Sequence, residues 1–262
     1  MKTKKAKSTN GVEHPSYPYP TIVEALCEIH FERAEGEAWK PSLPGELFKQ
    51  IQKDFPEMEP GVELGVQVEL GPEKFGHSFL PPRQRMKYKH ATRPLLLQLA
   101  ENVFTVNVLP TYPGWETMRV DVLKAWSQAK KVLSPARITR LGLRYINRIE
   151  RTDPKETPDE WLRSGDYLPA GVLKSKGAFL SRVESHIDKE NRVVVTLAEL
   201  STDNPDTPRP IVFDIDRMVE KEIAVNDTDL LAEMETLHEH VWEIFDGAKT
   251  PRLSKHLKGV AK

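Results

Sequence analysis

Apolar and polar residues alternate over TIVEALCEIHF (21–31). Val23, Ala25, Cys27, Ile29 and Phe31 fall on one side, and Ile22, Glu24, Leu26, Glu28 and His30 on the other. That period predicts a strand with one apolar and one mixed face. Ser42 and Pro44 then open a short helix carrying Leu47, Phe48, Ile51 and Phe55, closed near Pro56. Strands are expected at 62–70, 84–91, 94–100 and 102–109, the last two forming a hairpin around Glu101 and Asn102. Trp115, Met118, Val122, Trp126, Ala129 and Leu133 recur every three or four residues and mark a longer helix, ended by Ser134 and Pro135.

The second half repeats this style. A strand is expected over 137–149, then a polar loop, TDPKETPDEWLRSGD, with one helical turn. Strands near 178–187 and 192–200 turn at DKEN, and IVFDID (211–216) follows. Leu230, Met234, Leu237, Val241, Ile244 and Phe245 define a last helix, with Asn226 or Asp227 as cap and Gly247 past its end. Because strands come in adjacent runs rather than alternating with helices, the pattern predicts an α+β fold of antiparallel sheet packed by long helices. The expected organisation is a single domain over 15–247 between basic tails at 1–14 and 248–262. Subdomains at 15–134 and 135–247, two pseudo-repeated halves, are a further expectation.

Charge sharpens the picture. The first tail carries +3 and the last +5, which leaves −9 on the body of a chain whose net charge is −1. A wide nucleic-acid surface would ordinarily require a basic body. No apolar run approaches the roughly 20 residues of a membrane-spanning helix, and no apolar stretch follows the basic start as in a secretory signal. The single cysteine, Cys27, excludes an internal disulfide and multi-thiolate metal sites, so a reducing, cytoplasmic setting is expected.

Candidate chemistry is sparse. Neither a phosphate-binding glycine loop nor a G-x-S-x-G elbow is present. Cys27 falls on the apolar side of its strand, as a buried thiol would. His238 and His240 stand two apart on a helix and point about 200° from each other, so no metal site is expected there. Asp214 and Asp216 share a strand face, which fits either a magnesium site or a half-exposed strand. No metal and no cofactor are expected.

Two basic strands stand out. PPRQRMKYKHATRP aligns Arg83, Arg85, Lys87 and Lys89 on one face, and RLGLRYINRIE aligns Arg140, Arg144 and Arg148. Either set could bind an acidic partner or phosphates; either could be a paired or solvated strand face. Glu24 and Glu28 share the four-residue spacing of Arg144 and Arg148, so structural ion pairs between these two strands are expected. Arg140 has no evident partner there.

YPYPTIVEALCEIHF together with LGLRYINRIE resembles a sporadically distributed bacterial family of uncharacterised proteins of about 260 residues. Its members open with a Pro-(x)-Ile-Val-Glu-Ala strand and carry an Arg-Tyr-Ile-Asn core strand. The resemblance spans Pro15 to the end of the last helix. It implies a single α+β unit, no established catalytic residues, and a place in mobile or accessory loci, including defence and toxin–antitoxin-like modules. The chain is accordingly expected to be a non-enzymatic binding or regulatory protein that recognises another protein, with Trp39 and Trp161 as exposed candidates. Nucleic-acid or nucleotide binding through the basic faces is the alternative. An enzyme with a site across the sheet, around Asp214, Asp216, Glu24 and Arg144, is the second.

Overall fold

The computed structural model describes residues 14–63, 66–70, 75–79, 83–199 and 207–260, with the side chains of 62–83 outside it. Nine strands form one sheet: β1 (Ile22–Arg33), β2 (Glu57–Glu63), β5 (Arg83–Lys89), β6 (Leu95–Ala100), β7 (Val103–Val108), β8 (Pro135–Ile149), β9 (Phe179–His186), β10 (Asn191–Glu199) and β11 (Ile211–Val219). Strands β3 (Val66–Leu70) and β4 (Phe75–Phe79) form a separate hairpin. The helices are α1 (Leu43–Ile51), α2 (Trp115–Leu133), α3 (Ala170–Leu173), α4 (Asp227–Ala248) and α5 (Pro251–Lys258). No helix among the described residues is long and apolar enough to cross a membrane.

Spatial order in the sheet is β2-β5-β6-β7-β1-β8-β11-β10-β9, and neighbouring strands run antiparallel. The expected α+β class is what forms. Each half places its first strand at the centre and its last strand beside it. Thus β1 is followed outward by β7, β6 and β5, and β8 by β11, β10 and β9.

The alternation along each strand decides which face the helices cover. Ala25, Cys27, Ile29 and Phe31 of β1 are buried, as are Leu141, Leu143, Tyr145 and Ile149 of β8 and Phe213 and Ile215 of β11. Against them pack Met118, Val122, Trp126, Ala129 and Leu133 of α2 and Leu230, Met234, Leu237 and Val241 of α4, all in one continuous core. Gly114 starts α2 with φ +95, a conformation that a side chain resists, and Ser134 closes it in the left-handed region. Asn226 caps α4, its side chain accepting from the Asp229 amide at 2.8 Å.

Three expectations are corrected. The strand expected at 62–70 is two, β2 and β3, with β4 beyond them. The residues read as a basic C-terminal tail, 248–262, contain α5, whose Leu253 and Leu257 are buried while its lysines face outward. That helix repeats apolar residues only twice, too briefly for the period to register. Trp161 is buried rather than exposed, with its indole N–H donating to Glu156 at 3.0 Å. Trp39 is half-buried.

Candidate binding site

Residues of the opposite parity point away from the helices, and across the middle of the sheet they are mostly polar. From β5 to β11 they form a groove of about 410 Å³ floored by the sheet itself. Charge alternates in columns along it. Strand β5 contributes Arg85 and Lys87, β1 contributes Glu24 and Glu28, β8 contributes Arg140 and Arg144, and β11 contributes Asp216. Between β5 and β1, Gln98, Thr105 and Asn107 are neutral. Two small residues keep the floor low. A side chain at Gly61 would collide with the Lys87 stem, and Gly142 lies flat between Glu28 and Met218.

Most of these groups hold one another. Arg85 donates to Glu28 at 3.3 Å and to the Thr105 hydroxyl at 3.1 Å. The other Glu28 oxygen meets His30 Nε2 at 2.6 Å. Asn107 donates to Glu24 at 2.6 Å and accepts from Gln98 at 2.8 Å. Burial alone would raise the Glu28 carboxyl, but the His30 hydrogen bond and charge, with Arg85 and Arg140, outweigh it and hold it down at about 2. Glu28 therefore remains an anion throughout the physiological range.

The ion pairs expected between Glu24 or Glu28 and Arg144 or Arg148 do not form. Strands β1 and β8 are indeed neighbours, but their register sets Leu26 opposite Arg144 and Gly142 opposite Glu28. A bulge between Ile22 and Glu24 shifts the far end further. Arg144 instead turns to β11 and grips Asp214 with both arms of its fork, at 2.9 and 2.7 Å. Arg148 pairs with Glu150 at 2.7 Å on the exposed margin, outside the groove. Lys89 pairs with Glu59 at 3.0 Å at the surface, and the side chain of Arg83 lies outside the described residues. Of the basic residues singled out from the sequence, Arg85, Lys87, Arg140 and Arg144 line the groove.

Two groups in the groove are poorly matched. Arg140 Nη2 reaches only the thioether sulfur of Met218, at 2.9 Å, and its buried Nε has no hydrogen-bond partner. Among the described residues no carboxylate lies within ion-pair distance of it. Asp216 is pushed up to about 6, first by burial and then by the Asp214 and Glu28 charges, against the pull of Arg144 and Arg140. Its ordinary value is 3.8, so the folded state keeps a proton that the unfolded chain releases between these pH values. The contribution of Asp216 to stability is thus present below about pH 4 and lost as pH rises through about 6. Asp216→Asn is expected to leave stability at pH 4 unchanged and to raise it by ~1–2 kcal/mol at pH 7.5, a few degrees in melting temperature. Thermal unfolding across pH checks this; a less stable variant at pH 7.5 would mean that the Asp216 carboxylate gains more from Arg144 and Arg140 than burial costs it.

A second cavity, of about 360 Å³, opens on the helix side between α4, the start of α2 and the lead-in to β1. Its walls are aromatic: Tyr17, Tyr112, Trp115, Tyr145, Trp242 and Phe245. The Tyr112 and Tyr145 hydroxyls share a 2.9 Å hydrogen bond, and Thr21 donates to Asn147 at 2.9 Å. Trp115 lies flat on His238, centroids 4.1 Å apart and planes within 4°. Burial, with the charges of His14 and Arg119, pushes His238 down to about 3, so it is neutral. His240 points elsewhere and accepts from Arg217 at 2.9 Å. Of its lining the sequence singles out His238, as half of a pair with His240, while Trp115 and Phe245 register only as helix core, because aromatic residues at helical spacing carry the same signal in either role.

No protein-family model matches the chain, and no curated protein matches it.

Proposed function

We propose that this chain is a non-enzymatic binding protein that recognises another protein through the groove on the open face of its sheet, with Arg140 receiving an acidic side chain of the partner. One observation carries this reading: Arg140 holds a charged, planar donor set in a polar groove with a thioether as its acceptor. Guanidinium in such a place gains most from a carboxylate, which it can bind in two-pronged fashion. Lys87, which has no ion-pair partner among the described residues, supports it from β5.

The alternation of charge favours a protein over a nucleic acid. The basic column of β8 is flanked by acidic strands on both sides, each about 4.8 Å away. A run of phosphates along β8 would lie against Glu28 on one side and Asp214 and Asp216 on the other. A protein surface of mixed charge can match both signs. The acidic body of the chain fits the same reading.

The wider context is also proposed. The family resemblance and the lone cysteine fit a cytoplasmic accessory component of a bacterial defence or toxin–antitoxin-like locus. The shared strand order of the two halves fits an ancient duplication, in which β1 and β8 are equivalents. A second reading, acid–base catalysis in the groove, has one observation of its own, the raised pKa of Asp216.

The test begins with the partner that co-purifies from the native host. Arg140→Glu is expected to weaken that complex at least thirtyfold by calorimetry, since truncating one side of a buried charge pair costs about 2–5 kcal/mol. Arg148→Glu, on the exposed margin, should leave it unchanged. Equal affinity for wild type and Arg140→Glu would sink the proposal. Tight, steeply salt-dependent binding of oligonucleotides would move the function to the nucleic-acid alternative.

A further inference from the structure

We propose that His14, His238 and Glu239 form a binding site for a zinc ion beside the aromatic cavity, tying the lead-in to β1 onto α4. One donor atom from each of these residues lies within 4.8 Å of the other two. His14 Nε2 already meets a Glu239 carboxylate oxygen at 2.9 Å. A metal ion would take the place of the proton shared by that pair. His238 is almost fully buried, and its Nδ1 has no hydrogen-bond partner.

The donor set has the chemistry of zinc. Two imidazoles and one carboxylate are a frequent three-ligand shell for this ion, leaving a fourth position for water or a ligand. Tetrahedral bonds of about 2.0–2.2 Å would place the donors about 3.3 Å apart. The present spread is wider by an amount that torsion of the two less buried side chains can close: His14 is 14% and Glu239 34% exposed.

The surroundings hold these rings in place. His238 is clamped by Trp115, whose own indole N–H donates to Glu235 at 2.9 Å. His14 stacks on Trp242, one helical turn beyond His238, with centroids 4.4 Å apart. Such outer contacts fix ligand rings in orientation before a metal arrives. The nearby cations are already matched: Arg119 by Glu235 at 2.6 Å, and Lys249 by Asp246 at 2.6 Å. The sequence marks only His238 of this set and pairs it with His240, because His14 lies 224 positions away. Only the partner from the lead-in, rather than His240, completes a shell with His238.

Equilibrium dialysis of the full chain, stripped with chelator and then offered zinc chloride, measures the site directly. One zinc per chain is expected at micromolar concentration or below, together with a higher melting temperature in zinc. Cobalt(II) in its place should give the intense visible absorption of a tetrahedral centre. His14→Gln and Glu239→Gln lie on partly exposed positions that the fold tolerates, and each should weaken zinc binding at least tenfold. His256→Gln, on α5 against Trp161, should not. Absence of saturable binding, or zinc binding as strong in His14→Gln and Glu239→Gln as in the unaltered chain, would overturn the assignment.

Discussion

Replacing Arg151 with methionine is expected to destabilise the protein by about 3–5 kcal/mol, among the largest effects of any single change outside the apolar core. Arg151 follows β8 and is buried together with Glu199 at the end of β10, each side chain 3% exposed and their charged atoms 3.1 Å apart. Its other nitrogens donate to the carbonyls of Arg209 and Glu156, both at 2.5 Å. One guanidinium therefore joins the end of β8, the end of β10, the approach to β11 and the polar insert. Methionine keeps much of the volume and removes the charge, leaving Glu199 with Arg209 alone, at 3.2 Å. A buried carboxylate that loses its main partner is costly, whereas an apolar pair in the same space need not be. The double variant Arg151→Met with Glu199→Leu should therefore recover much of the loss. Urea unfolding followed by tryptophan fluorescence checks both. A cost below about 1 kcal/mol for the single change would show that water enters this end of the sheet.

That buried pair illustrates what was legible in the sequence and what was not. Period-two and period-3.6 patterns located β1, β8, β10, α2 and α4, because each has a face that must leave water. They also placed Arg140 and Arg144 on the face away from the core. Partners were another matter. Glu24, Glu28, Arg144 and Arg148 have matching spacing, yet the pairing follows register and strand order, and neither is written in the local pattern. The order puts β11 on the far side of β8, and Asp214 is thereby nearer to Arg144 than any glutamate of β1. Asp214 and Asp216 were visible as an alternating pair, but their spacing fits a metal site, a wet strand and an arginine clamp equally well. Trp161 misled for a related reason. It sits in a polar stretch, and only the fold brings Glu156 and Arg252 around it.

Trp126 carries the other large effect. It is fully buried on α2, its ring 5.7 Å from that of Phe31 and 5.9 Å from that of Phe104, where the helix crosses β1 and β7. Trp126→Ala is expected to cost about 3–5 kcal/mol, since the cavity left between a helix and two central strands cannot close. The indole also has a flaw: its N–H is buried without a hydrogen-bond partner. An unpaired buried donor costs about 1–3 kcal/mol. Trp126→Phe removes that penalty while keeping an aromatic ring against Phe31 and Phe104. The lost volume and the relieved donor oppose each other, so this variant should lie within about 1 kcal/mol of wild type. The contrast between the two substitutions is the informative quantity, because it separates packing from polarity at one position. If phenylalanine proved as damaging as alanine, the indole nitrogen would have to be bound to something, and a buried water beside α2 would be the first place to look.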